Sequence, residues 1–160
     1  MFKEEKIITL AKYLLTKGVD SPLKIQKLLF FLRYEELKNQ NNLEDSYFAS
    51  NYNFQAWIYG PVNYLTYNHL QSYFFQLDEK ENYFLRDAKI MDQIEKQYGK
   101  YFEKWNQYSP QQLVKISHTN QAWIKARGSL LEDEISNNLL DESTVEFITI
   151  SNQYVQDYSS

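Results

Sequence analysis

His118, between Ser117 and Thr119, is the residue of this chain best placed by type to do chemistry. An imidazole there could serve as a general base, as a metal ligand, or as a helix C-terminal group that satisfies carbonyls and the dipole. The other histidine, His69, is far off in the sequence, and there is no cysteine, no His-x-x-His and no His-Glu spacing to complete a metal set. A capping or buried hydrogen-bonding role is therefore the leading reading of His118. Ser117 does not make a catalytic pair by adjacency, because nucleophile and base must meet through side-chain geometry and no nucleophile-elbow sequence surrounds the serine. The carboxylates Glu35-Glu36 and Glu132-Asp133-Glu134 could do acid/base work, but runs of this kind read first as solvated surface. Neither a phosphate-cradling Gly-rich loop nor a Walker signature is present, so nucleotide chemistry has no support. No catalytic, metal or cofactor-binding set assembles from spacing, and the chain is not expected to be an enzyme or to need a cofactor.

The elements that would position these groups are mainly helical. Ile7, Ile8, Leu10, Ala11, Leu14 and Leu15 recur at helical spacing and end at Gly18, a C-terminal cap. Ser21-Pro22 reads as an N-cap and first helical residue, opening a helix with Leu23, Ile25, Leu28, Leu29, Phe31 and Leu32 on its apolar side. It runs out in Asn39-Gln40-Asn41-Asn42. From Tyr47 to Tyr59 the pattern becomes aromatic and roughly alternating, which predicts one or two short strands. The next landmark is Phe54-Gln55-Ala56-Trp57-Ile58-Tyr59-Gly60-Pro61-Val62, where an aromatic run stops at a Gly-Pro pair. Gly60 can take backbone angles closed to other residues and Pro61 has φ pre-set, so the pair predicts a strand-to-helix corner with Pro61 starting a helix through Val62, Leu65, Leu70 and Phe74. Trp57, the Gly60-Pro61 turn and Trp123 are expected to be structural, with Trp57 as a core clamp in preference to a recognition surface.

Leu77 to Arg86 reads as loop or short strand, and Ala88 to Trp105 as a helix carrying Ile90, Met91, Ile94 and Tyr98. Ser109-Pro110 repeats the cap-plus-proline signature before Leu113, Val114 and Ile116. A short helix around Ala122 to Ala126 carries Trp123 and is broken by Gly128. Ser143 with Glu146 reads as a capping box for a final helix of about 142–156. The expectation is a mainly α, single-domain fold over residues 1–160 with about six or seven helices and a small β element near residues 47–59.

The 160 residues carry a net charge of -4, which argues against nonspecific nucleic-acid binding. The charged start, Met1-Phe2-Lys3-Glu4-Glu5-Lys6, does not resemble a secretory signal, and no apolar run is long enough to cross a bilayer; a cytoplasmic protein without a membrane partner is expected. Aromatics make up 17% of the chain, including fourteen tyrosines, which marks either a sticky surface or the codon usage of an AT-rich genome.

Three segments taken in series resemble one family. Leu23-Lys24-Ile25-Gln26-Lys27-Leu28-Leu29-Phe30-Phe31 is similar to the opening of the Panacea domain, the antitoxin domain also called SocA-like or phage-associated GepA-like. Phe54 to Val62 resembles that family's aromatic Gly-Pro core, and Leu113 to Ala126, with Ser117-His118 and Trp123, resembles its histidine-tryptophan element. Ser117 stands where the family usually has threonine, and Ala122 where a proline commonly precedes the tryptophan. The resemblance covers a core of about residues 5–140. It implies an antitoxin of a toxin-antitoxin system that neutralises a cognate protein toxin, encoded by the neighbouring gene, by direct binding; the SocA-type alternative is a proteolytic adaptor that delivers the toxin to an AAA+ protease. A small enzyme using His118 is a remoter alternative. The motif residues Lys24, Gln26, Lys27, Phe54, Trp57, Tyr59, Gly60, Pro61, Val62, His118 and Trp123 are then structural or partner-binding. Read singly and without the resemblance, Gln26 and Lys27 are ordinary solvent-facing positions of an amphipathic helix.

Overall fold

The computed structural model describes residues 3–39, 42–75, 83–130 and 133–159. Its first helix, α1 (Lys3–Thr16), ends where Gly18 takes φ +96°. The Gly18 and Val19 amides turn back to the Leu15 and Leu14 carbonyls, so glycine's access to positive φ closes the helix. α2 (Pro22–Asn39) starts on Ser21, whose Oγ accepts from the Lys24 amide. This is the central helix. It packs against α1, against α3 (Tyr64–Phe75), α4 (Ala88–Asn106) and α5 (Pro110–Ser117), and against the hairpin described below. Every residue from Ile25 to Glu36 is buried.

That burial corrects two expectations. Gln26 and Lys27 are not solvent-facing, and neither Glu35 nor Glu36 is surface. A helix enclosed on all sides must bury whatever stands on it, and its polar groups then need partners. Glu35 accepts from Lys104 Nζ at 2.6 Å and Trp105 Nε1 at 3.1 Å. Glu36 accepts from Tyr98 Oη at 2.7 Å and Arg33 Nη1 at 3.0 Å, while Arg33 Nε donates to Glu142 at 2.8 Å. The network ties α2 to α4, to the 45–53 loop and to the segment before the C-terminus. Around it lies an aromatic core in which Phe31 stacks on Trp105 at 4.1 Å and Phe30 meets Phe54 and Phe147 edge-on.

The fold is mainly α, with seven α-helices among the described residues and one two-stranded antiparallel sheet. The β element consists of β1 (Gln55–Trp57) and β2 (Gly60–Val62), in register Gln55↔Val62, Ala56↔Pro61 and Trp57↔Gly60. It therefore begins eight residues after Tyr47 and includes the Gly-Pro pair. Tyr47 and Phe48 are both buried but lie in a loop and not in a strand. Pro61 does not start a helix. α3 begins at Tyr64 because Asn63 caps it, its Oδ1 accepting from the Thr66 amide at 2.8 Å. On the far side of β1, the Ala56 amide donates to Asn138 and the Leu140 amide to Phe54, so residues 138–140 run alongside as a partial third strand.

α4 and α5 match their expected bounds, and Ser109 with Gln112 forms a full capping box. α6 (Gln121–Arg127) starts on Asn120 and ends at Gly128. Near the C-terminus the expectation fails. Both the amide and the hydroxyl of Ser143 are taken by Asp141 Oδ1, so Ser143 makes no capping box with Glu146. A short 3₁₀ turn, Val145–Ile148, follows, and the last helix, α7, is Asn152–Ser159 in place of 142–156. Gln40, Asn41, Glu132 and most of the loop expected from Leu77 lie outside the described residues.

Candidate functional site

The three segments that carry the resemblance meet at the hairpin. From α2, Lys27 is completely buried and its Nζ donates to the Pro61 carbonyl at 2.5 Å. Burial without a counter-charge drags its pKa from 10.5 down to about 7. Gln26, one residue earlier, accepts from the Asn63 amide at 2.8 Å and donates to Thr66 at 3.1 Å, fixing the junction of β2 with α3. Lys24 donates to the Asn106 carbonyl and holds the C-terminal end of α4.

At Gly60, α2, β2 and α5 meet. The glycine has φ +106°, and a Cβ placed on it would lie 2.5 Å from Ser117 Oγ and 2.9 Å from Lys27 Cε. Both the backbone angle and the missing side chain are required. Ser117, fully buried, donates its hydroxyl proton to Val114 O at 2.7 Å and is spent on the helix, so it forms no nucleophile with His118. Phe54, just before β1, and Pro61 and Val62, in β2, are all buried.

α6 grips β1. Trp123 Nε1 donates to Trp57 O at 2.9 Å and Arg127 Nη1 to Ala56 O at 3.1 Å. The carbonyls of residues 56, 57 and 61 thus each take a side-chain donor from a helix, which satisfies groups that a two-stranded ribbon leaves open. Asn120 sets the angle of α6: its Oδ1 accepts from the Trp123 amide, and its Nδ2 donates to Phe147 O.

His118 is the C-cap residue of α5, its backbone amide reaching Val114 O. The ring is half-buried and lies flat against Trp123, with centroids 4.1 Å apart and planes 11° from parallel. Burial lowers its pKa; a hydrogen bond from the ring to the Ile58 backbone opposes that, and the charges of Lys27 and Arg127 lower it further. Nε2 is buried without an aligned hydrogen-bond partner. His69 does not join it, lying on α3 against Tyr83. Among the described residues no cluster of three or more His, Asp or Glu could hold a metal ion.

Beside His118 opens a cavity of about 620 Å³ walled by Ile58, Tyr59, Trp123, Ile124 and Arg127. Trp57 is half-buried, with its ring edge-on to Tyr67 at 4.9 Å, and Trp123 is half-buried too. Both indoles hold the hairpin and, being half-buried, also present surface. Tyr59, at the tip, is 63% exposed and anchors nothing in the core. Arg127 and Asn120 were missed by sequence reasoning; the signal for Asn120 was its place directly before a short helix.

A search of protein families, curated proteins and solved structures finds no match for this chain. Among the described residues no helix is long and apolar enough to cross a membrane.

Proposed function

We propose that this chain is an antitoxin of the Panacea kind, neutralising a partner protein toxin by direct, stoichiometric binding. The observation that carries the reading is the meeting of its three motif segments: Lys27, Gly60 and Ser117 interlock beneath the hairpin, while Tyr59, Trp57 and Trp123 reach the surface above it. A rigid hairpin held by side chains from α2 and α6 is a suitable platform for recognition, because little ordering is left to be done on binding. Half-exposed tryptophan and exposed tyrosine are the residue types that most often anchor protein interfaces. Ser117 is committed to Val114 O and Lys27 to Pro61 O, so neither is available to His118 for group transfer.

The test is co-expression of the chain with the product of its neighbouring gene. Growth rescue is expected to track the ratio of the two proteins, to persist in His118→Ala and to accompany a copurifying complex. Rescue that depends on an AAA+ protease would move the reading to a proteolytic adaptor, and rescue lost in a folded His118→Ala variant would revive an enzyme.

A further inference from the structure

Among the described α-helices, α3 alone carries no Asp, Glu, Lys or Arg; the other six each carry at least one. His69 adds no charge at neutral pH, because burial and the neighbouring Lys12 push its pKa below the ordinary value. Yet α3 is a surface helix. Only Thr66, Leu70 and Tyr73 are buried, so it rests on the core along one line and turns the rest outward, where a helix of a folded domain ordinarily places charges.

The outward side is ordered. Tyr64, Asn68, Gln71 and Phe75 stand at i, i+4, i+7 and i+11 and share one face. Tyr64 is 52% and Phe75 76% exposed, with Leu65 beside them at 40%. No described residue hydrogen-bonds to the Asn68 or Gln71 carboxamide. The stripe reads alike in both directions, as aromatic, amide, amide, aromatic. A two-fold axis midway between Asn68 and Gln71 therefore sets Tyr64 against Phe75 of a second copy, and Asn68 against Gln71. An isologous contact requires such a match, because every pairing occurs twice. Each carboxamide both donates and accepts, so Asn68 and Gln71 are complementary in partial charge across the axis. Net charge points the same way. Two copies of a chain carrying -4 repel where their charged surfaces face one another, and α3 is the helix on which they meet without doing so.

We propose that the outer face of α3 is a homodimer interface, in which two α3 helices pack antiparallel about an axis midway between Asn68 and Gln71, with aromatic rings at the ends and amides at the centre. The dimer stands independently of toxin neutralisation. Its size sets its strength. Tyr64, Leu65 and Phe75 offer on the order of 300 Å² per copy, well short of the ~800 Å² per partner of a standard interface, so the association is weak.

Sedimentation velocity of the full-length protein from about 5 to about 500 μM should show a monomer passing into a dimer, with a Kd of about 100 μM. Two double variants test the register. Asn68→Lys with Gln71→Lys sets like charges opposite one another and should weaken the dimer by about tenfold or more, whereas Asn68→Glu with Gln71→Lys brings opposite charges together across the axis and should hold it at or above parent strength. Both pairs place good helix formers on an outward face, and circular dichroism should show parent-like helix content in each. Phe75→Ser should abolish the dimer. Ile135→Ser, which removes an apolar side chain 93% exposed and outside α3, should leave it unchanged. A parent that stays monomeric to the top of the concentration range, equal association of the two folded double variants, or a dimer abolished by Ile135→Ser would overturn the proposal.

Discussion

Lys27 Nζ donates to the carbonyl oxygen of Pro61, so this buried amine of the central helix ends on a strand carbonyl and not on a carboxylate. Its folded pKa is lowered, to about 7 from 10.5, so the unfolded chain binds more protons between those values. Stability from this group therefore rises as pH increases from about 7 toward 10.5 and is flat below 7, with a slope of at most ~1.4 kcal/mol per pH unit. Urea unfolding at pH 6, 7, 8 and 9 should show that rise, superposed on other titrations, and Lys27→Met should remove it. An unchanged pH profile in Lys27→Met would mean that the amine is hydrated and not buried.

Gly60 should tolerate no side chain. Gly60→Ala meets Ser117 Oγ and Lys27 Cε and forces alanine to φ +106°; overpacking and backbone strain of this kind cost roughly 1–3 kcal/mol each. Adding Ser117→Gly should recover the part of the steric share that Ser117 causes and leave the Lys27 contact and the backbone share. Thermal melts of the single and double variants measure both, and a Gly60→Ala variant as stable as the parent would contradict the close approach.

The ion pairs divide sharply by burial. Arg33 and Glu142 are both buried, and Glu142→Ala removes one of the two carboxylates on the guanidinium while Glu36 remains; the loss should cost up to about 3–5 kcal/mol. Lys125 and Glu146 are at the surface, and Lys125→Ala should cost less than about 1 kcal/mol. Denaturant midpoints of the two variants give the comparison directly.

The tryptophans should separate in the same way. Trp105 is 1% exposed and stacked on Phe31, so Trp105→Ala should cost ~3–5 kcal/mol. Trp57 is half-buried, and Trp57→Ala should cost roughly half of that. Its effect on partner binding, measured by calorimetry with the folded variant, should exceed its effect on stability.

Much of this architecture was legible in the sequence because its signals are local. The Ser109-Pro110 cap, the Gly18 terminus and the helical periodicity of Ala88 to Trp105 each act within one or two turns, and they hold. The misreadings concern what comes from afar. Nothing near Lys27 announces that β2 will cover it, because the residues that bury it are Gly60, Pro61 and Ser117. Glu35 and Glu36 looked like surface because their partners Lys104, Trp105 and Tyr98 lie on another helix. Gly60-Pro61 was recognised as a turn element, yet Asn63, a better cap, decides where α3 begins. Of the site, His118 and Trp123 stood out individually, while their stacking and the cavity beside them depend on the angle that Asn120 sets between α5 and α6.

The central claim is that the hairpin tip is a recognition surface on a rigid support, and Tyr59→Ala tests it most directly. Tyr59 is 63% exposed, so its loss should change stability by less than about 0.5 kcal/mol. Calorimetric titration of the purified variant against the product of the neighbouring gene should show binding weakened by about tenfold or more, from a parent that saturates at a fixed stoichiometry. Parent-like affinity in the folded Tyr59→Ala variant, or a parent that forms no saturable complex, would contradict it.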